Sequence, residues 1–216
     1  MIDQALRARL GPGLDYAAGR LSSAGVSPGA LTGAGLLVGL GACVAVATAS
    51  WLPALGLWLL NRLLDGLDGA LARRRGATEL GGLLDFVADF VVYSGFVVGV
   101  AIAHPGARLA CVALLAAYLV NNVALLAFSS VIERLGLRLG DERSLRLTTG
   151  LAEGAETIVV YVLFCLAPGG SETIAWAFAV VVAMTAVQRV VQAIRALGTQ
   201  PSRGVQPRSA SRQSDA

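Results

Sequence analysis

The chain has 216 residues, of which 56% are hydrophobic and only 14% are charged, and its formal net charge is +3 with every basic residue except one histidine being arginine. This composition excludes an ordinary soluble globular domain, because no soluble core needs so much apolar sequence. It indicates an all-α integral membrane protein in contact with the lipid bilayer, and no nucleic-acid partner is expected.

The N-terminal segment, residues 1–29, mixes Leu, Ala and Tyr with Arg7, Arg9 and Arg20. It is too polar to contain the apolar core of a signal peptide. We predict an interfacial amphipathic segment that is broken at residues 11–13, a Gly-Pro-Gly sequence.

Apolar segments then follow one another almost without interruption. The hydrophobic pattern predicts about six membrane spans, at roughly 31–50, 51–71, 84–103, 107–128, 154–168 and 172–197. These spans form one predicted transmembrane domain, residues 30–197. The remaining residues, 198–216, are rich in Ser, Arg, Gln and Pro and are predicted to be a disordered cytoplasmic tail.

Four carboxylates, Asp65, Asp68, Asp85 and Asp89, lie at the neighbouring ends of the second and third spans. Residues three or four apart share a helix face, so each pair of aspartates points in one direction. Like charges that converge in a low dielectric repel unless cations neutralise them. Oxygen ligands suit Mg²⁺ or Mn²⁺, and two such ions can clamp the attacking and leaving oxygens of phosphoryl transfer. The spacing therefore predicts a site for two divalent cations.

A length calculation places these carboxylates in depth. Residues 51–64 and 90–103 each give fourteen residues of helix, or about 21 Å against a hydrocarbon core of roughly 30 Å. Asp65 and Asp89 are therefore expected to lie level, with Asp68 and Asp85 one turn nearer the membrane surface. The structural alternative is that the aspartates only pair with Arg62 and Arg73.

The window also resembles a known family, the CDP-alcohol phosphotransferases, class I. Their signature is D-x-x-D-G-x-x-A-R, a spacer, and G-x-x-x-D-x-x-x-D. Every fixed position is filled in this chain, by Asp65, Asp68, Gly69, Ala72, Arg73, Gly81, Asp85 and Asp89. The one departure is the seven-residue spacer, one residue shorter than the usual length.

The resemblance implies a membrane-bound transferase of phospholipid biosynthesis. Such an enzyme moves a phosphatidyl group from CDP-diacylglycerol to the hydroxyl of a small polar alcohol and releases CMP. It further implies that the four aspartates hold two divalent cations, that Asp89 is also the general base, and that the protein forms a homodimer. Contacts to the CDP moiety are implied for Gly69, Ala72, Arg73 and Gly81.

The arginines indicate the orientation. With six spans, only Arg108 falls on the side opposite the termini, and cytoplasmic loops carry the excess of positive charge. We therefore predict a multi-pass protein of the cytoplasmic (inner) membrane. Both termini and the aspartates are predicted to face the cytoplasm.

The acceptor alcohol is less well specified. Arg143 and Arg146, in the loop 129–148, lie on the side of the aspartates, and arginine suits phosphate. This favours a phosphorylated acceptor, with glycerol 3-phosphate first and inositol phosphate second. The alternative is that both are ordinary positive-inside residues; serine, choline and phosphatidylglycerol stay open as acceptors. Glu153 and Glu156 either line the site or cap a helix.

Two readings outside the enzyme class are weaker. A cation transporter is expected to carry polar residues onward to the outer face, and the first, third and fourth spans offer almost none. A catalytically silent membrane scaffold is expected to have lost a signature residue, and none is lost.

Overall fold

The computed structural model describes residues 2–134 and 154–198, which form seven α-helices and, over these residues, no strand. The helices are α1 (Ile2–Ser23), α2 (Pro28–Ala47), α3 (Trp51–Arg75), α4 (Glu79–Ala103), α5 (Arg108–Arg134), α6 (Gly154–Leu166) and α7 (Ser171–Gly198). Helices α2 to α7 correspond in order to the six predicted spans. The all-α polytopic fold is therefore confirmed.

Among the described residues, four helical segments are long and apolar enough to cross a membrane: Pro28–Ala47, Glu79–Ala103, Pro105–Arg134 and Pro168–Gly198. Helix α3 is long enough but carries the first aspartate pair and ends in three arginines. Helix α6 is apolar but has 13 residues, fewer than the roughly 20 that a perpendicular span needs. Among the six predicted spans, α3 is thus set apart by the charges of the motif and α6 by its length.

The predicted ends of the second and third spans were wrong by several residues. Helix α3 continues to Arg75, where Gly76 adopts a φ of +93° and ends it. Helix α4 begins at Glu79 because Thr78 caps it, accepting a hydrogen bond from the Gly81 backbone N–H at 3.1 Å. Hydrophobicity marks only the lipid-facing part of a helix, whereas caps mark where the backbone bonding stops. Helix α5 likewise runs to Arg134, beyond the predicted limit of 128.

The predicted break at residues 11–13 was also wrong, because α1 is one continuous helix with Pro12 inside it. A proline within a helix costs about 3 kcal/mol, so packing must offset it. Ala18 is fully buried in a cluster with α3 residues. Leu14 lies against Gly66, and Arg75 donates to the Ser22 carbonyl at 2.6 Å. Tertiary contact with α3 therefore stabilises a helix that its own sequence does not favour.

Helix α2 packs closely against α3 and α4 because glycines lie at the contacts. A Cβ on Gly39 would collide with Val92 of α4 and lie 2.9 Å from the Asn61 amide nitrogen of α3. A Cβ on Gly99 would lie 2.8 Å from the Cys43 carbonyl oxygen of α2. This close approach brings the aspartate-bearing ends of α3 and α4 together.

Candidate active site

The four aspartates line one polar recess between α2, α3 and α4. The recess is narrow and opens to solvent, and its other lining residues include Thr32, Asn61 and Val92. Each pair of aspartates occupies one helix face, as the spacing predicted. Because α3 and α4 face each other, the two pairs of aspartates form one site.

Three of the carboxylates form a tight cluster. One oxygen from each of Asp65, Asp68 and Asp85 lies within 4.8 Å of the other two. Asp68 is only 5% exposed and accepts a hydrogen bond from the Thr32 hydroxyl at 2.9 Å. Anionic oxygens this close repel one another unless a cation lies between them. Oxygen-only ligation matches a hard divalent cation, so these residues fit the metal that the motif implies.

Asp89 lies in the same recess but is held differently. Its Oδ1 accepts a hydrogen bond from Arg62 Nη2 at 2.7 Å, and its Oδ2 lies 3.5 Å from the Tyr93 hydroxyl, which donates to it. The same guanidinium reaches Asp65, with 3.6 Å between Arg62 Nη1 and Asp65 Oδ2. Part of the structural alternative is therefore present, because Arg62 pairs with two of the four aspartates. Asp68 and Asp85 converge with Asp65 rather than on an arginine.

The other motif residues lie near the ends of α3 and α4. Gly69 directly follows Asp68, and the exposed Arg73 folds back so that its Nη1 is 3.5 Å from the place a Cβ on Gly69 would take. The Gly81 backbone N–H bonds to Thr78, and a Cβ on Gly81 would lie 2.9 Å from that hydroxyl. Ala72 is half-buried one turn from Asp68. These four motif residues are close to the aspartates in sequence but are not among the residues that line the recess.

The predicted acceptor residues Arg143 and Arg146 lie outside the described residues, and so does Glu153. Glu156 is in the first turn of α6, where an acidic side chain favours the helix N-terminus. The predicted tail from residue 199 onward is likewise outside the described part of the chain.

Sequence reasoning did not single out three residues that organise the recess. Thr32 bonds to Asp68, Tyr93 contacts both Arg62 and Asp89, and Asn61 donates to the Gly35 carbonyl at 2.8 Å. A signal for two of them was available. Tyr93 is four residues after Asp89, and Asn61 is four residues before Asp65, so each shares a face with a motif aspartate.

Comparison with known proteins extends the likeness over most of the chain. The family model for CDP-alcohol phosphatidyltransferase matches residues 26–190. The inner membrane protein YnjF of Escherichia coli (strain K12) is 39% identical over 196 residues, covering 88% of this chain and 94% of that protein.

Among solved structures, the chain is similar to phosphatidylinositol phosphate synthase of Mycobacterium tuberculosis. The crystal structure with CDP-DAG bound has a TM-score of 0.66 and 24% identity, covering 84% of this chain and 93% of that one. The structure in complex with manganese and citrate has a TM-score of 0.67 and 23% identity, covering 88% and 90%. The helical arrangement described above is therefore shared with that synthase.

Proposed function

The chain belongs to the CDP-alcohol phosphatidyltransferase family, and on that premise we propose that it transfers the phosphatidyl group of CDP-diacylglycerol to the hydroxyl of a small polar alcohol. The observation that carries this proposal is the convergence of Asp65, Asp68 and Asp85 within 4.8 Å, with Asp89 in the same recess. These are the four acidic positions of the family signature. The structure of the mycobacterial synthase with CDP-DAG bound supports the choice of donor.

In the proposed reaction the acceptor hydroxyl oxygen attacks the phosphorus that bears the diacylglycerol group. The bond from this phosphorus to the CMP oxygen breaks, and CMP leaves with the electron pair. The hydroxyl proton goes to Asp89, which acts as general base. Divalent cations, when bound, neutralise charge on the phosphoryl oxygens and on the leaving group.

The chain's own residues hold and orient the reactants. Asp65, Asp68 and Asp85, together with Asp89, would hold two cations, Mg²⁺ or Mn²⁺, and the Thr32 hydrogen bond fixes the orientation of Asp68. Gly69 and Gly81 would contact the CDP moiety at the helix ends, and Arg73 would supply a guanidinium for its phosphates. Ala72 completes the set of proposed CDP contacts. The homodimer implied by the resemblance stays a prediction, as does the division into segments at residues 29 and 197.

The proposed activity is tested with purified protein, labelled CDP-diacylglycerol and a panel of acceptors, with CMP release as the readout. We expect release that requires both an acceptor alcohol and Mg²⁺ or Mn²⁺. CMP release that is insensitive to a chelator, or its absence with every acceptor in the panel, would contradict the proposal.

We further propose that the protein lies in the inner membrane with the recess facing the cytoplasm, because the E. coli relative is an inner membrane protein and the arginines lie mostly on one side. A cysteine introduced as Ser202→Cys is then expected to react with a membrane-impermeant maleimide only from the cytoplasmic side. A cysteine introduced as Gly106→Cys is expected to react only from outside. The unmodified protein serves as control, since Cys111 and Cys165 are buried and Cys43 is half-buried. Labelling of residue 202 from outside intact cells would overturn this orientation.

For the acceptor we propose a phosphorylated alcohol, glycerol 3-phosphate before inositol phosphate, bound by Arg143 and Arg146. Replacing both arginines with glutamine is expected to raise the acceptor KM by about tenfold or more, since a charge-assisted hydrogen bond contributes roughly 1.5–3 kcal/mol. The KM for CDP-diacylglycerol is expected to stay within about twofold because ground-state and transition-state contacts to the donor are untouched. Arg208→Gln, in the C-terminal tail, is the matched control. An unchanged acceptor KM in the double variant, or turnover of unphosphorylated acceptors only, would remove this assignment and leave the metal chemistry standing.

A further inference from the structure

Arg62 carries a buried side chain and follows Asn61 in a stretch of α3 that is otherwise apolar. Its side chain is only 7% exposed, and a cation at membrane depth is expensive enough that it is normally kept for a function. The guanidinium lies between two aromatic rings, with its central carbon 4.9 Å from the centroid of Trp58 and 4.9 Å from that of Tyr93. Such cation–π contacts stabilise a desolvated arginine.

The orientation of this guanidinium is fixed from three helices. Its Nε and Nη2 donate to Asn61 Oδ1 at 2.9 and 2.6 Å, and its Nη1 donates to the Tyr93 hydroxyl of α4 at 2.6 Å. The Asn61 amide in turn donates to the Gly35 carbonyl of α2 at 2.8 Å. The planar fork of arginine therefore has little freedom to turn.

Of the recess aspartates, the fixed guanidinium binds Asp89 at the shortest distance. Nη2 binds Asp89 Oδ1 at 2.7 Å, whereas the nearest Asp65 contact is longer, 3.6 Å from Nη1 to Oδ2, and Asp65 also belongs to the cluster of three carboxylates. One oxygen of Asp89 is thus occupied by a permanent cation. The other oxygen, Oδ2, has a longer contact, 3.5 Å to the Tyr93 hydroxyl, and is the oxygen more available to a metal ion or to a proton.

We infer that Arg62 is a positioning residue for the transfer. By binding Asp89 Oδ1, it prevents this carboxylate from joining the Asp65–Asp68–Asp85 cluster with both oxygens. Asp89 Oδ2 is then left in place to take the proton from the hydroxyl of the acceptor alcohol. The inference rests on the proposed function for its catalytic part. Its consequence for metal binding does not depend on turnover.

The test compares Arg62→Gln with Arg62→Lys in the full chain. Arg62→Gln is expected to lower kcat by about a hundredfold, the lower range of what a general base contributes, with the donor KM changed by less than about twofold. Mn²⁺ affinity, measured by titration without substrate, is expected to rise by about tenfold or more, because a positive charge close to the cations is removed and Asp89 gains a free oxygen. Arg62→Lys keeps the charge but not the fork. It is expected to retain near-normal Mn²⁺ affinity and an intermediate kcat.

The double variant Arg62→Gln/Asp89→Asn separates positioning from general support of the fold. If Arg62 acts through Asp89, the double variant is expected to have the same kcat as Asp89→Asn alone, because residues acting as one unit are non-additive. Arg108→Gln, at an exposed arginine that bonds only the Ala101 carbonyl among the described residues, is the control with unchanged activity. Should Arg62→Gln fail to fold, Tyr93→Phe removes the hydroxyl that anchors Arg62 Nη1 and contacts Asp89 Oδ2, and keeps the ring. It is then expected to lower kcat severalfold without changing the donor KM.

The outcomes distinguish this inference from the proposed function. Unmodified protein that releases no CMP contradicts the proposed function, and the Mn²⁺ titration then still decides the role of Arg62. Unchanged or weaker Mn²⁺ binding in Arg62→Gln overturns the inference, as does unaltered kcat in that variant. Equal losses in kcat and donor binding would show a general structural role instead.

Discussion

Replacing Asp68 with asparagine is expected to abolish CMP release and to lower Mn²⁺ affinity by more than about a hundredfold, since losing a residue that only hydrogen-bonds to a metal ligand already costs about 10–100-fold. Asp68 is the most buried of the carboxylates, at 5% exposure, and its oxygen lies in the cluster with Asp65 and Asp85. The amide has the same size and retains an oxygen to accept the Thr32 hydrogen bond. The substitution therefore removes the charge and leaves the packing.

Three measurements check this expectation: CMP release, Mn²⁺ titration and the thermal unfolding midpoint without metal. The midpoint is expected to stay constant or rise, because one of three mutually repelling charges is gone. Asp15→Asn is the matched control, being the same substitution at an exposed position of α1. Normal turnover by Asp68→Asn, or full activity of the unmodified protein in a chelator, would show that the cluster is not a metal centre.

The sequence was sufficient to predict the parts of the fold that depend on one helix at a time. The apolar segments predicted six spans, and the spacing of three and four residues predicted which aspartates share a face. Both follow from helical periodicity alone. The recess contains all four aspartates, as expected from equal helix lengths on either side of the pairs.

Features that depend on contacts between helices could not be predicted in the same way. Helix α1 continues through Pro12 because it packs against α3, with Leu14 beside Gly66 and Ala18 buried between the helices. The clustering of Asp65 with Asp68 and Asp85 depends on how α3 and α4 are rotated, which the close contact at Gly39 helps to set. Side-chain periodicity fixes a face but leaves this rotation open.

The hydrogen bond from Arg62 to Asp89 is a second feature that could not be predicted from the sequence, because it also depends on contacts between helices. From the sequence, Arg62 was considered only as a structural partner of the aspartates, together with Arg73. The structure shows a more selective arrangement, because Asn61 and Tyr93 orient the guanidinium toward Asp89. The difference lies in the hydrogen bonds from Arg62 to Tyr93 and Asp89 of α4, which no spacing within α3 encodes.

Asp89→Asn is the second substitution with a large expected effect, and its character differs from that of Asp68→Asn. We expect kcat to fall by about a thousandfold, within the 10²–10⁴ range of general base catalysis. Binding of CDP-diacylglycerol, measured directly at equilibrium, is expected to change by less than about threefold. The asparagine oxygen still accepts the hydrogen bond that Arg62 donates at 2.7 Å, but the amide cannot take a proton from the acceptor.

Two further variants make this prediction sharper. Asp89→Glu keeps a carboxylate on a longer side chain and is expected to recover part of the turnover that Asp89→Asn loses. Asp85→Glu tests the same lengthening at a carboxylate of the cluster of three. A general base and a metal ligand differ in which measured quantity falls when the residue is replaced. A base that cannot take the proton lowers kcat while the donor stays bound, and a missing metal ligand lowers donor and Mn²⁺ binding together. If Asp89→Asn weakens Mn²⁺ and donor binding as much as Asp68→Asn does, Asp89 acts chiefly as a ligand, and the proton must leave the acceptor by another route.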